Sequence, residues 1–391
     1  MYIYIVRPGE TLGRISEMTG VSEETAAYIN QISWPYGLAA GQALLLPAEA
    51  APEAAAERER PCQKLWRPAA IKGYAYPFID SGIFRQTLPY LTSLCVFSYG
   101  FTEDGRLIPP KTDDRWMIGE AKANSVRPEL TLTSLNEQDQ FDNLLIHVLL
   151  HDEERKERLI FALLNEMKEK GYEGLDLDFE YVQAEDRDAY TRFVARLTER
   201  MNVEGYPVSV ALAPKTSDDQ RGILYKGIDY AGLGAAANSV FLMTYEWGYR
   251  GSPPMAVAPL PEVRRVVEYA VTRIPPEKID LGIPNYGYDW PLFSSGEAAE
   301  ARTVGNIEAV HQAVETGAEI LWSDTAQSPH YRYEREGKKH EVWFEDVRSM
   351  RAKFSLVQEY GLRGAGYWQI MRLFRPGWIL SADTFRIVRG G

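Results

Sequence analysis

The sequence predicts an α/β protein in which a large (β/α)8 barrel with a small α+β insertion follows a small βααβ domain. In residues 68–391, apolar runs of strand length alternate with amphipathic helical patterns, which is typical of a parallel sheet wrapped by helices. Residues 1–48 form a compact, regularly patterned segment of their own. A chain of 391 residues with 45% hydrophobic and 25% charged residues is long enough for one large and one small domain.

Residues 1–48 carry the start and stop signals of two short helices between two strands. Gly20 is suited to end the first helix, and Ser22 is suited to cap the second. The pattern predicts, in order, a strand at 3–6, helices at 11–19 and 23–30, and a strand at 43–46. The segment is therefore expected to fold as a βααβ unit.

Residues 49–67, AEAAPEAAAERERPCQKLW, are rich in Ala, Glu, Arg and Pro, which predicts a linker. Cys62 lies in this linker, and the other cysteine, Cys95, lies in a predicted buried strand. Two cysteines in these places form neither a disulfide framework nor a metal-binding pattern. The chain has five histidines and neither an HExxH motif nor a His/Asp cluster, so we expect no metal and no cofactor.

The barrel prediction depends on eight candidate strands, separated for the most part by helical patterns such as those at 153–170 and 185–202. The candidate strands are residues 71–78, 91–101, 130–134, 174–182, 208–214, 238–247, 279–288 and 364–370. Eight such units suit a barrel. The long gap at about 291–345 contains further strand-like runs, and we expect a small α+β insertion there that walls the cleft. A doubly wound sheet is the alternative architecture.

Charge and hydropathy exclude several classes of partner. The net charge of −12 and the pI of about 5.1 argue against nucleic acid or an anionic membrane surface as partner. No apolar run approaches the ~20 residues that a membrane span needs. The N-terminal MYIYIVRPGETL lacks the basic and apolar regions of a secretory signal, so we expect either a mature N-terminus or an export-independent route. We expect a monomer.

Three acidic residues alternate along one predicted strand, in Gly-Leu-Asp-Leu-Asp-Phe-Glu-Tyr at 174–181. Since side chains alternate faces along a strand, Asp176, Asp178 and Glu180 should point into the barrel. The residues that alternate with them should face the helices: Leu175, Leu177, Phe179 and Tyr181. Burial and mutual repulsion should raise the pKa of at least one carboxyl. Glu180, last in the row and at the mouth where barrel active sites form, is the candidate general acid. The alternative is an exposed edge strand with solvated acids.

The N-terminal segment resembles a LysM module. The resemblance is carried by VRPGETLGRISEMTGVSEETAAYIN and by the closing GLAAGQALLLP. LysM modules bind glycans that contain N-acetylglucosamine, such as peptidoglycan and chitin. The resemblance therefore implies a glycan-binding module at 1–48, present in one copy.

The acid-bearing strand resembles the D-G-x-D-x-D-x-E signature of glycoside hydrolase family 18, with Glu173 in place of the first Asp. The resemblance implies a (β/α)8 TIM barrel and retaining hydrolysis in which the substrate's own acetamido group attacks the anomeric carbon. Glu180 would protonate the leaving oxygen and then deprotonate water. Asp178 would orient the acetamido group, and Asp176 would tune the protonation of Asp178 from below.

Other segments resemble further sugar-binding strands of the same family. In Met243-Thr244-Tyr245-Glu246, the resemblance implies that Tyr245 donates to the acetamido carbonyl and that Met243 lines the pocket. Glu246 stands where many chitinases have Asp. Further implied sugar contacts are Asn285 and Tyr286 in GIPNYGYDW, and Trp368 as the floor under the reacting sugar. The alternative reading of these aromatic residues is an ordinary core role. The third strand, LTLTSLNEQ, lacks the S-x-G-G motif of many chitinases, so the groove should differ from theirs.

The combination of a LysM module with the runs MTYEWGY, PPMAVAPL and GIPNYGYDW resembles spore-germination cortex-lytic N-acetylglucosaminidases. The resemblance implies cleavage of spore cortex peptidoglycan containing muramic δ-lactam, and a location in the spore or cell wall. Those relatives typically carry two LysM copies, whereas this chain shows one. Two alternatives remain open: a chitinase, and a catalytically silent glycan-binding wall protein. Silent members usually lose the final Glu of the motif, and Glu180 is present.

Overall fold

The structure is a computed structural model that describes residues 1–48, 67–138, 140–293 and 299–390. The predicted linker at 49–67 lies outside these ranges except for its last residue, and Cys62 lies outside them too. Cys95 is buried in the barrel.

The N-terminal domain is a βααβ unit with its own apolar core. Its elements are β1 (Tyr2–Ile5), α1 (Leu12–Thr19), α2 (Glu23–Asn30) and β2 (Ala43–Leu46), and β1 pairs antiparallel with β2. Gly20 ends α1 in the left-handed conformation, with φ of 72°, which glycine adopts at little cost. The buried Asn30 amide joins α2 to β2 by donating to the Leu45 carbonyl at 2.9 Å and accepting from the Leu45 N–H at 2.7 Å.

The first part of the large domain alternates strands with helices. In chain order its elements are β3 (Pro68–Ala75), α3 (Ser81–Thr87), β4 (Ser93–Phe101), β5 (Leu107–Ile108), α4 (Arg115–Ala123), β6 (Arg127–Thr133), α5 (Asn143–Leu150), α6 (Glu153–Lys170), β7 (Gly174–Asp178), α7 (Arg187–Val203), β8 (Val208–Leu212), α8 (Tyr230–Ala236), β9 (Ser239–Leu242), α9 (Leu260–Val271) and β10 (Ile279–Pro284). β5 is a short antiparallel partner of β4.

A small α+β insertion follows β10. Its elements are β11 (Gly287–Leu292), β12 (Arg302–Val304), α10 (Asn306–Thr316), β13 (Leu321–Ser323), β14 (Ser328–Arg335) and β15 (Lys338–Trp343). The strands form an antiparallel sheet in the order β12-β11-β15-β14-β13. One face of this sheet packs with α10 around a separate apolar cluster.

The chain then returns to the barrel through α11 (Val347–Glu359), β16 (Gly364–Trp368), α12 (Arg375–Thr384) and β17 (Arg386–Ile387). Within the described ranges, eight parallel strands pair in the order β3-β4-β6-β7-β8-β9-β10-β16, and β16 pairs back to β3. The closed ring confirms the predicted (β/α)8 barrel and excludes the doubly wound alternative, which needs open edges. Over these same ranges, none of the helices combines the length and apolar composition that a bilayer crossing requires.

Most of the predicted barrel strands end earlier in the structure than expected, and three of these differences, all at the carboxyl end of the barrel, bear on the candidate site. β7 ends at Asp178 and β9 at Leu242, so Glu180 and Tyr245 lie in the loops that follow. The predicted strand at 279–288 is two strands, because its second half pairs with β12 and β15 instead of continuing along the barrel. The chain leaves strand geometry at this end because the loops turn to form the mouth, where barrel active sites are built.

Candidate active site

The acid-bearing strand β7 directs its carboxylates into the barrel. Asp176 is fully buried and Asp178 is 5% exposed, whereas Glu180 is partly exposed at the mouth. Tyr181 was expected to face the helices, and this expectation was wrong: its side chain is 38% exposed. Since the strand ends at Asp178 and Tyr181 adopts a left-handed φ of 58°, the alternation of faces no longer applies there.

Burial and repulsion favour the neutral acid form of Asp178 and of Glu180. Burial raises the pKa of Asp178 well above its usual range, and the charges of Glu180 and Asp176 raise it further. Burial also raises the pKa of Glu180, with a second contribution from the charge of Glu246. One oxygen of Asp178 is buried without a hydrogen-bond partner. Neighbouring carboxyls of this kind titrate as a unit, so the row is suited to hold and move a proton.

A buried lysine that the sequence analysis did not single out lies beneath the row. Lys72 of β3 is 1% exposed, and its Nζ lies 3.0 Å from Asp176 Oδ1 and 2.9 Å from Glu129 Oε2. Lys72 also donates to Ser209 Oγ at 2.5 Å, and Ser209 in turn donates to Asp176. The ammonium group balances the charge of Asp176. The sequence signal for Lys72 was a charged residue inside the otherwise apolar strand run IKGYAY.

The loop after β9 brings a phenol and a further carboxylate to the mouth. Tyr245 is 9% exposed; burial and the charges of Asp178 and Glu180 raise the pKa of its hydroxyl, which therefore stays protonated and available as a donor. Glu246 accepts hydrogen bonds from Tyr286 and, at 3.0 Å, from Tyr288. Met243 is partly buried against the barrel core.

Of the two residues singled out after β10, Tyr286 joins the site and Asn285 supports it. Tyr286 donates to Glu246 from a 6% exposed position. The Asn285 Nδ2 donates to the backbone carbonyls of Gln369 at 3.1 Å and Arg372 at 2.9 Å. Because its donors serve the loop after β16 and the side chain is only 3% exposed, Asn285 is better explained as a positioning residue than as a sugar contact.

Aromatic side chains surround Trp368 at the end of β16. The ring of Trp368 meets those of Phe97, Tyr74 and Tyr76 edge-on, with centroids 4.8, 5.8 and 6.3 Å away. Tyr76 stacks at 5.1 Å on Phe78, which is 67% exposed. Such a cluster offers flat apolar faces for pyranose rings. The sequence signal for the aromatic residues contributed by β3 and the loop after it was the spacing Tyr74-x-Tyr76-x-Phe78, which was not among the predicted site residues.

Comparison with known proteins agrees with this geometry. A family model described as glycosyl hydrolases family 18 matches residues 136–372, and one for the LysM domain matches residues 4–47. The cortical fragment-lytic enzyme of Bacillus subtilis is 40% identical over 306 residues, which are 78% of this chain and 70% of that protein. The putative sporulation-specific glycosylase YdhD of the same organism is 33% identical over 385 residues, 97% of this chain and 87% of YdhD.

Solved structures share this fold. The Bacillus cereus spore cortex-lytic enzyme SleL matches with a TM-score of 0.80 at 34% identity, covering 100% of this chain and 87% of SleL. A chitinase from Chromobacterium violaceum matches with a TM-score of 0.73 at 22% identity, over 81% of this chain and 98% of that one, and shows the fold alone. With a LysM domain at its N-terminus and the acid row at the mouth of its barrel, the chain belongs to glycosyl hydrolase family 18 and is a glycoside hydrolase.

Proposed function

We propose that this enzyme hydrolyses N-acetylglucosaminyl bonds of spore cortex peptidoglycan, including material that contains muramic δ-lactam, during germination. The observation that carries the proposal is the pair of neighbouring carboxyls, the buried Asp178 and the partly exposed Glu180, with raised pKa values at an aromatic-lined barrel mouth. The substrate is supported by the similarity to a cortical fragment-lytic enzyme and to the cortex-lytic enzyme SleL.

In the proposed reaction, Glu180 donates a proton to the leaving glycosidic oxygen while the acetamido oxygen of the same sugar attacks its anomeric carbon. The C–O bond to the leaving sugar breaks and a cyclic oxazolinium ion forms. Asp178 accepts the acetamido N–H, and Tyr245 donates to the acetamido oxygen. Glu180 then takes a proton from the water that opens the ring. Two displacements at one carbon retain its configuration.

The proposed roles of the remaining site residues follow from their contacts. Trp368 provides the floor under the reacting sugar, with Met243 beside the pocket. Tyr286 holds Glu246, whose charge keeps Glu180 protonated to higher pH. Asp176 carries the charge that favours a proton on Asp178, and Lys72 keeps Asp176 in place.

The LysM domain is proposed to hold the enzyme on the same glycan, which fits a location in the spore or cell wall. A single binding module lacks the avidity that a second linked module provides. The net charge of −12 supports neither nucleic acid nor an anionic membrane as partner. We propose that the enzyme acts as a monomer.

Product analysis of purified cortex tests the proposal. Digestion with the full chain, followed by borohydride reduction and mass spectrometry, should give fragments with reduced N-acetylglucosamine at the new end. Chitin oligomers are digested in parallel. Cleavage of chitin oligomers with cortex left intact would favour the chitinase alternative, and binding without cleavage of either would favour a silent glycan-binding protein.

Glu246→Gln is expected to move the alkaline limb of the kcat/KM profile to lower pH. Burial raises the pKa of Glu180, and the negative charge of Glu246 adds to the shift. Since Glu180 must be protonated to donate, activity falls as the pH rises through that pKa. Removing the Glu246 charge lowers the pKa and brings the fall to lower pH. The pH profile is measured with soluble cortex fragments as substrate. Glu315→Gln, a change at an exposed residue of the insertion, is measured in parallel as the control. If the alkaline limb of Glu246→Gln stays at the wild-type pH, the Glu246 charge does not raise the pKa of the general acid, and the proposed link between Glu246 and Glu180 is wrong.

A further inference from the structure

Three side chains with metal-binding chemistry meet outside the active site. His147 lies on α5, His151 follows at the C-terminal cap of that helix, and Asp186 directly precedes α7. Residues four apart on a helix lie on the same face, so the two imidazoles are neighbours, with ring centroids 4.6 Å apart. The spacing His-Val-Leu-Leu-His at 147–151 was a sequence signal, but the third member becomes apparent only in the folded chain.

The three groups converge through specific atoms. His147 Nδ1 lies 2.9 and 3.0 Å from the two Asp186 oxygens, and His151 Nε2 lies 2.8 Å from Asp186 Oδ1. One ligand atom from each residue lies within 4.8 Å of the other two. In tetrahedral zinc sites with bonds of about 2.0–2.2 Å, neighbouring ligand atoms are roughly 3.3 Å apart. The histidine–aspartate distances of 2.8–2.9 Å are slightly shorter than this separation, and all three atoms lie within 4.8 Å of one another, so small side-chain movements would reach that arrangement.

The buried Asp186 carboxylate supplies a negative charge for a metal ion, and the exposed imidazole rings leave the site accessible from solvent. The Asp186 side chain is fully buried, whereas the side chains of His147 and His151 are 37% and 52% exposed. A carboxylate in such a place needs a positive partner or strong hydrogen bonds. The exposed rings leave room for water to complete a coordination shell, as in zinc sites with an open position.

We propose that His147, His151 and Asp186 form a binding site for a divalent transition metal ion, of the class represented by Zn²⁺. Two imidazole nitrogens and one carboxylate oxygen suit Zn²⁺ and its neighbours, whereas Ca²⁺ and Mg²⁺ prefer oxygen ligands throughout. Each imidazole must present an unprotonated nitrogen to the ion, because only that form is a ligand.

The ion would join two neighbouring loops at the barrel mouth. α5 belongs to the connection between β6 and α6, whereas Asp186 lies on the connection between β7 and α7, six residues after Glu180. An ion bound to both connections stabilises the folded state over the unfolded state. The ion would thus stabilise the fold at this place, and its binding does not depend on which glycan the enzyme cleaves.

Calorimetric titration of the chelator-treated full chain with Zn²⁺ alone tests the site. We expect one ion per chain and a raised melting temperature. His151→Ala, a change at a half-exposed ring, should weaken binding about tenfold or more, with the melting temperature of the ion-free protein nearly unchanged. The matched control is His311→Ala, which removes an exposed histidine on α10 and should bind Zn²⁺ as the wild type does.

A spectroscopic titration gives a second readout. Co²⁺ in a site with imidazole ligands should give a visible absorption that saturates at one equivalent, and Zn²⁺ should abolish it by displacement. The proposal is overturned if the wild-type chain binds neither ion, or if His151→Ala and His147→Ala bind Zn²⁺ as tightly as the wild type. Either result would leave the trio as a hydrogen-bonded cluster only.

Discussion

Glu180→Gln is expected to lower kcat on soluble cortex fragments by about 10²–10⁴-fold, the contribution typical of a single general acid or base. Glutamine matches the shape of the neutral acid but neither donates nor accepts the transferred proton. Because burial and the Glu246 charge already favour the protonated form of Glu180, the substitution changes the charge of the resting site little. Glycan binding should therefore stay close to that of the wild type. Turnover is measured by reducing-end release and binding by calorimetry.

Two companion variants make this result specific. Asp178→Asn should also lose turnover, because the amide carries no negative charge to stabilise the oxazolinium ion and cannot take part in the shared proton. Glu315→Gln, at an exposed residue of the insertion, should leave kcat unchanged. Wild-type turnover in Glu180→Gln would refute its assignment as the proton donor, whereas loss of binding along with turnover would point to a collapsed site.

Lys72→Met is expected to destabilise the fold by about 3–5 kcal/mol, the usual cost of removing one partner from a buried ion pair. In the wild type, the Lys72 Nζ lies within 3.0 Å of both Asp176 and Glu129. The substitution removes this ammonium group and leaves both carboxylates buried. Burial alone would raise the pKa of Glu129, but the charges of Lys72 and Arg127 hold it at about 2. Methionine fills a similar volume, so the loss of charge dominates the effect. The free energy of unfolding is measured by urea denaturation.

The loss should depend on pH in a defined direction. In the wild type, the lowered pKa of Glu129 contributes stability that is present above the unfolded pKa and is lost as the pH falls toward 2. In Lys72→Met the pKa of Glu129 should rise above the unfolded value, so the folded variant takes up a proton and is favoured at acid pH. The stability gap between the two proteins should thus be larger at neutral pH than in mild acid. Lys226→Met, at an exposed lysine, is the control, and a gap independent of pH would contradict the charge argument.

Local patterns in the sequence predicted much of the architecture and the row of acidic residues in the active site. Alternation with a period of two placed Asp176, Asp178 and Glu180 in one row, because a strand turns successive side chains to opposite faces. Repeated apolar strands separated by helices predicted the closed parallel barrel. The pattern failed where the strands stop: Tyr181 is exposed, and the strand predicted at 279–288 divides between two sheets.

The sequence by itself determined which residue types reach the barrel mouth and in what order, because each strand's periodicity is local to that strand. Only the tertiary structure decided which groups neutralise, orient or repel them. Lys72 and Asp176 are 104 positions apart, and Asn285 bonds to a loop 84 positions away. Such partners are brought together by barrel closure and by loop geometry, and pKa shifts depend on distances and burial, which no linear spacing contains.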